Sequence, residues 1–186
     1  MELTERQAAF EREVLVHLDV LYRVALRLSG SAADADDLVQ ETMLRAFRSW
    51  HQYQPGTNAR AWLLTILRNQ FINEYRRRRR HAQATEEIAS DPHAVFLSVR
   101  DLDPTGAFFD RIVDDRVLAA IDALPDEFRE AVILVDSEGL SYEEAAQVLE
   151  VPIGTLKSRL FRARRRLQQE LYDYAVEMGY IRASTS

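Results

Sequence analysis

Phe10, Val14, Leu18, Leu21, Ala25 and Leu28 follow one another at spacings of three and four residues, and this period returns in nearly every apolar stretch of the chain. Such spacing lines one face of an α-helix, whereas a half-buried strand needs alternation by two. The chain is therefore expected to be all-α. Thr4-Glu5-Arg6-Gln7 has capping-box form and opens a first helix that Gly30 should end. Ser31 and Asp34 supply the next cap, and Leu38, Thr42, Ala46 and Trp50 continue a second helix to the break at Pro55-Gly56. A third helix is expected from about Asn58 to Arg80, burying Leu63, Ile66, Leu67 and Phe71.

Between 81 and 111 the period fades, Asp91-Pro92 and Asp103-Pro104-Thr105-Gly106 break the chain, and acids outnumber bases. This segment reads as a flexible acidic linker, with Ala94 to Leu102 apolar enough for a short helix or a strand. Helical spacing resumes at Ile112, Val113, Val117, Ala120, Ile121 and Leu124, and Pro125 starts another helix carrying Phe128, Val132 and Val135 up to Gly139. The expected architecture is two small helical domains, 1–80 and 112–178, joined by the linker 81–111, with the second ending in a helix-turn-helix.

The chain has 186 residues and a net charge of −6, which argues against nucleic-acid binding until the charge is mapped. Pro55 to His81 holds seven bases against Glu74 alone, and Pro152 to Leu171 holds six bases against Glu170 alone. Ala82 to Val151 holds 17 acids and four bases. Two cationic islands thus flank an anionic stretch. With no Cys, disulfides, thiolate metal sites, Cys nucleophiles and thiol sensors are excluded. His17, His51, His81 and His93 lack metal-ligand spacing, there is no Walker-type glycine loop, and Asp34 to Asp37 reads as a helix start rather than a calcium loop. No enzymatic activity, cofactor or metal is expected. No leader or membrane span is apparent, so a cytoplasmic location is expected.

Ser141-Tyr142-Glu143-Glu144 is a capping box that opens a short helix with Ala145, Val148 and Leu149 inward. Glu150-Val151-Pro152 forms the turn, and a second helix from Ile153 buries Leu156, Leu160, Ala163 and Leu167. A helix-turn-helix places its second helix in the major groove. On that geometry Lys157, Ser158 and Arg162 reach base edges, Thr155 lies on the same face, Phe161 touches a thymine methyl, and Arg159, Arg164 and Arg165 clamp phosphates. The alternative is an amphipathic hairpin with a solvated basic face.

In the first domain Asp37, Gln40, Glu41 and Leu44 fall on one stripe at i, i+3, i+4 and i+7, a docking surface for a basic protein helix or a solvated face. Arg60, Arg68 and Arg76 to Arg80 lie beside aromatic and amide side chains, a combination suited to single-stranded nucleic acid. Tyr53, Asn58 and Asn69, at and beyond the Pro55-Gly56 loop, are the candidates to hold an unpaired base, while Trp62, Phe71 and Tyr75 are expected in the core.

Three stretches resemble one family. They are Asp34-Ala35-Asp36-Asp37-Leu38-Val39-Gln40-Glu41-Thr42 with Arg45-Ala46-Phe47; Gly56-Thr57-Asn58-Ala59-Arg60-Ala61-Trp62-Leu63; and Glu138-Gly139-Leu140-Ser141-Tyr142-Glu143-Glu144-Ala145-Ala146 with Pro152-Ile153-Gly154-Thr155-Leu156-Lys157-Ser158-Arg159-Leu160. In order and separation they are similar to bacterial RNA polymerase sigma factors of the extracytoplasmic-function (ECF) group. The resemblance implies that 1–80 is a region 2-like domain that docks on core polymerase and melts and reads the minus-ten element, and that 112–178 is a region 4-like domain that reads the minus-thirty-five element. It implies that Asp37, Gln40, Glu41 and Leu44 meet the clamp helices of the largest polymerase subunit, and that Tyr53, Asn58, Arg60, Arg68, Asn69 and Arg76 face minus-ten DNA. Thr155, Lys157, Ser158, Arg159, Phe161, Arg162, Arg164 and Arg165 then face the minus-thirty-five duplex. The resemblance also implies an anti-sigma partner, and Gly56-Thr57-Asn58 resembles the subgroup with zinc-binding, thiol-sensing anti-sigma factors and stress-response regulons. A helix-turn-helix regulator without a sigma role is the rival, distinguished by footprinting duplex DNA without polymerase. In the free chain, intervening acids are expected to compete for the basic islands and let the domains collapse together. The 31-residue linker spans roughly 30 Å as a coil but about 100 Å extended, enough for two DNA turns.

Overall fold

A computed structural model of the protein describes residues 3–85, 115–177 and 179. The Ala94 to Leu102 segment, Ile112 and Val113 lie outside them, as do the side chains of Thr4, Arg79 and Arg80. All regular structure among the described residues is helical: α1 (Leu3–Val14), α2 (Leu18–Ser29), α3 (Ala32–Arg48), α4 (Ala59–Thr85), α5 (Asp115–Asp122), α6 (Asp126–Val132), α7 (Tyr142–Leu149), α8 (Ile153–Glu170) and α9 (Tyr172–Glu177). The first expected helix is two helices. A 3-10 turn at Leu15–His17 separates them, and because such a turn also repeats every three residues it leaves the apolar spacing nearly intact and invisible in the sequence.

Local chemistry explains most boundaries. Gly30 ends α2 in the left-handed conformation at φ 68°, and its N–H donates to the Leu26 carbonyl. The Ser31 hydroxyl accepts from the Asp34 N–H and starts α3. That helix stops at Arg48 and a 3-10 turn, Trp50–Gln52, leads into the loop. Ser141 and Glu144 close a complete capping box on α7. Past α6 the chain widens into a π turn, Ile133–Ser137, in which the Glu138 N–H reaches back to the Ile133 carbonyl at 3.0 Å. The helix starting at Ala59 runs through Thr85, beyond the expected end near Arg80.

The first four helices pack around Leu21, Val24, Leu63, Leu64 and Leu67, and α5 to α8 around Ile133, Val148, Leu149, Leu156 and Leu160. These join one apolar cluster, because α7 lies along α4 and the π turn touches α2. Val24, Leu28 and Leu64 meet Ile133, Leu134, Val148 and Leu149 along the seam. The void left among them is about 10 Å³, no more than the volume one water needs, so the seam is packed like an interior.

Candidate nucleic-acid and polymerase interfaces

The α3 stripe is open to solvent. Asp37, Gln40 and Leu44 are exposed, Leu44 by 52%, and Glu41 pairs with Arg45 one turn on at 2.9 Å. On the buried side of the same helix the Thr42 hydroxyl donates to the Leu38 carbonyl at 2.7 Å and lies 2.6 Å from the Gln70 side-chain amide of α4. That contact fixes the α3 stripe relative to the helix carrying Arg68 and Asn69.

Between α3 and α4 lies an open cleft of about 440 Å³, lined by Glu41, Arg45, Arg48, Ser49, Ile66 and Asn69. Sequence reasoning found Asn69 and Glu41 but missed Arg45, Arg48, Ser49 and Ile66. The two arginines read as ordinary basic residues of a helix C-terminal turn, where the helix dipole favours them. Their i, i+3 spacing across from Asn69 was the only available signal.

Tyr53 differs from expectation. It is 6% exposed, stacked on Trp50 with ring centroids 4.8 Å apart and tilted against Trp62 at 5.0 Å, and its hydroxyl donates to the Thr57 carbonyl at 2.9 Å. Burial raises its phenol above the ordinary tyrosine value. An aromatic ring beside two tryptophans gains more from packing than from waiting in solvent, so Tyr53 shapes the loop from within rather than presenting a ring to a base. Trp62 and Phe71 are half-buried, and Tyr75 is exposed with its ring stacked 6.2 Å from Phe71.

Four of the five remaining minus-ten candidates, Asn58, Arg60, Arg68 and Asn69, meet carboxylates of the second half. Arg68 donates twice to Glu130 at 3.1 Å, with both side chains largely buried. Burial pushes the Glu130 carboxyl up and the Arg68 charge opposes that. Arg60 lies 3.6 Å from Glu144, and Asn58 donates to Glu144. Asn69 donates to Glu150 at 3.0 Å. Two further pairs, Arg23 with Glu138 at 2.7 Å and Arg27 with Asp122 at 3.4 Å, reinforce the seam. Arg76 is exposed on α4, and Arg78 pairs with Asp34 and Glu74, both of which hold its guanidinium protonated.

The turn before α8 carries a backbone oddity. Glu150 has φ 54° and ψ 43°, and is the one non-glycine with positive φ among the described residues. A side chain in that region costs about 1–2 kcal/mol relative to right-handed backbone, and glycine avoids the cost.

The outer face of α8 carries Lys157, Ser158, Phe161, Arg162 and Arg165, all exposed, with Phe161 at 68%; Thr155 is half-exposed beside them. Phe161 is the most exposed large apolar side chain of this charged face. Two expected phosphate clamps have partners of their own. Arg159 pairs with Glu127 at 3.2 Å, and Arg164 forms a two-point contact with Asp136, its shorter bond 2.6 Å, and donates to the Tyr142 hydroxyl. Leu156, Leu160 and Ala163 are buried as the spacing predicts. No helix among the described residues is long and apolar enough to cross a membrane.

Residues 14–81 match the family described as Sigma-70 region 2, and residues 114–167 match Sigma-70, region 4. The chain is 42% identical over 179 residues to the ECF RNA polymerase sigma factor SigE of Mycolicibacterium smegmatis, covering 95% of this chain and 68% of that one. It is 43% identical over 168 residues to the ECF RNA polymerase sigma factor EcfG of Rhodopseudomonas palustris, covering 90% and 88%. Among solved structures, the sigma factor RpoE bound to the anti-sigma factor NepR from Bartonella quintana superposes with a TM-score of 0.70 at 35% identity, over 88% of this chain and 96% of that one. CnrH with the cytosolic domain of CnrY gives 0.62 at 26%, over 90% of each. With two sigma regions in the expected order, the second ending in a helix-turn-helix, the chain belongs to the ECF RNA polymerase sigma factors, DNA-binding factors for promoter-specific transcription initiation.

Proposed function

We propose that the chain works by holding a minus-ten reader closed until polymerase opens it. In this reading residues 1–80 dock on the clamp helices through Asp37, Gln40, Glu41 and Leu44, and take an unpaired base into the cleft beside Asn69. Asn58, Arg60, Arg68 and Arg76 follow the melted strand, and Tyr53 supports the loop from below. Residues 112–178 read the minus-thirty-five duplex with Thr155, Lys157, Ser158, Phe161 and Arg162 at the bases and Arg165 at phosphates. Arg159 and Arg164 join as clamps held in place by Glu127 and Asp136. The linker, 81–111, lets the two domains separate.

The observation that carries this reading is the row of carboxylates on Asn58, Arg60, Arg68 and Asn69. Side chains chosen to bind a phosphate-rich strand attract intramolecular anions when the strand is absent, and here four of the six minus-ten candidates do so. An anti-sigma factor that stabilises the closed form would silence the chain, in keeping with the partners that RpoE and CnrH carry in their solved complexes. The Gly56-Thr57-Asn58 loop extends the proposal to the zinc-binding, thiol-sensing partners and a stress regulon. Any thiol sensor would then sit on the partner, since this chain has no Cys. The protein acts in the cytoplasm, where polymerase and promoter are.

Run-off transcription by core polymerase with this chain on a pooled genomic library tests the reading. RNA starts are expected downstream of a shared pair of elements, and the chain alone should give little promoter-specific shift. Starts no more selective than those of core polymerase alone, or tight footprinting by the free chain, would refute it.

A further inference from the structure

We propose that Glu150 is a built-in plug of the minus-ten reader: from the turn of the helix-turn-helix its carboxylate occupies the amide of Asn69 at the rim of the α3–α4 cleft. The inference rests on the reading of Asn69 given above and adds how that site is regulated.

Three observations carry it. Asn69 Nδ2 donates to Glu150 Oε1 at 3.0 Å across 81 residues of sequence, and Asn69 also lines the cleft. An amide engaged in this way has given one of its donors to a carboxylate, and a base that needs that donor must displace it. Next, Glu150 keeps a left-handed backbone that glycine would adopt without strain. Its neighbour Val151 returns its N–H to the Ala146 carbonyl at 3.1 Å, so the turn itself is satisfied by backbone bonds and needs no particular side chain. The Glu150 side chain is exposed and reaches across to Asn69 of the first domain, a use for an otherwise disfavoured residue. Finally, the plug is seated by the rest of the seam: Glu130 on Arg68 sits one residue back along α4, and Glu144 on Asn58 and Arg60 lies at its start. Separation of the domains must therefore free the cleft and the phosphate-facing arginines together.

The turn that carries the plug leads directly into α8. Moving the recognition helix onto duplex DNA two helical turns away thus withdraws Glu150 from Asn69 with no further conformational step.

The test measures binding of a fluorescein-labelled pool of random 12-nucleotide single strands to the full chain by anisotropy. Glu150→Gly should bind about three- to tenfold more tightly than wild type, the range expected for releasing one hydrogen bond whose charge is screened by solvent. Its melting temperature should stay level or rise, because the left-handed strain is gone. Glu143→Gln removes the same charge from an exposed position on α7 and should change affinity less than twofold. Adding Asn69→Ala to Glu150→Gly should abolish the gain. With core polymerase present, Glu150→Gly and wild type should start RNA equally from the same promoters, since both are already open. A Glu150→Gly chain no tighter than wild type, or an equal gain from Glu143→Gln, overturns the plug even where promoter use is normal. Failure of wild type to use any promoter with core polymerase overturns the reading of Asn69 beneath it.

Discussion

Asp37, which the proposed function places at the polymerase, does little for the fold. It is exposed on α3, opposite the buried Ala35, Thr42 and Ala46, so its charge can be reversed without touching the core. Asp37→Arg should lower retention of core polymerase in a pull-down at least tenfold while the melting temperature moves by no more than about 1 °C, as exposed substitutions generally do. Equal retention would remove the docking assignment. At this scale the sequence was informative where chemistry is local. Lys157, Arg162 and Phe161 were legible because a four-three-four apolar spacing fixes which side of α8 faces out. Tyr53 was not, since a tyrosine next to a Pro-Gly loop looks the same whether its ring meets solvent or Trp50 and Trp62. The partners of Arg60, Arg68 and Asn69 lie 62 to 84 residues away, and no local pattern announces them.

Helix ends dominate at the next scale. The Ser141–Glu144 box satisfies two orphan N–H groups of α7, with bonds of 3.1 Å and 2.7 Å, while Glu144 also reaches Arg60 in the first domain. Ser141→Ala should destabilise the chain by about 1 kcal/mol, read as a fall of about 2–4 °C in melting temperature. A second element-level effect comes from the 3-10 turn between α1 and α2. Burial first and the Arg60 charge second push His17 below its ordinary value. The folded form therefore takes up this proton less readily than the unfolded chain, and the stability present above about pH 6.5 is lost as pH falls through and below it. Thermal melts between pH 7.5 and 5.5 should show this slope, and His17→Gln should flatten it. An unchanged slope would mean that His17 titrates freely. The turn itself escaped sequence reasoning because helical period tolerates three residues of tighter winding, whereas Gly30, Ser31 and Ser141 marked their boundaries through side-chain or φ requirements that are written in single residues.

For the molecule as a whole, closure is a competition between an apolar seam, with five sets of polar contacts among the described residues, and whatever polymerase and DNA offer in exchange. Because the chain has no Cys, Glu11→Cys and Gln169→Cys give two unique labelling sites on exposed helix positions of the two halves. Energy transfer between them should be high in the free chain and fall on addition of core polymerase. Undiminished transfer would mean that the domains dock without parting. The sequence led to the expectation that intervening acids would compete for the basic islands and let the domains collapse together, without saying which acids would do so. Among the described residues these anions come from α6, α7 and the turns beside them, while the outer face of α8 stays exposed. That asymmetry has a consequence for life inside a crowded nucleoid. On the proposed roles, a molecule whose duplex-facing end stays available while its strand-prying end is shut would rest on double helix without prying it apart.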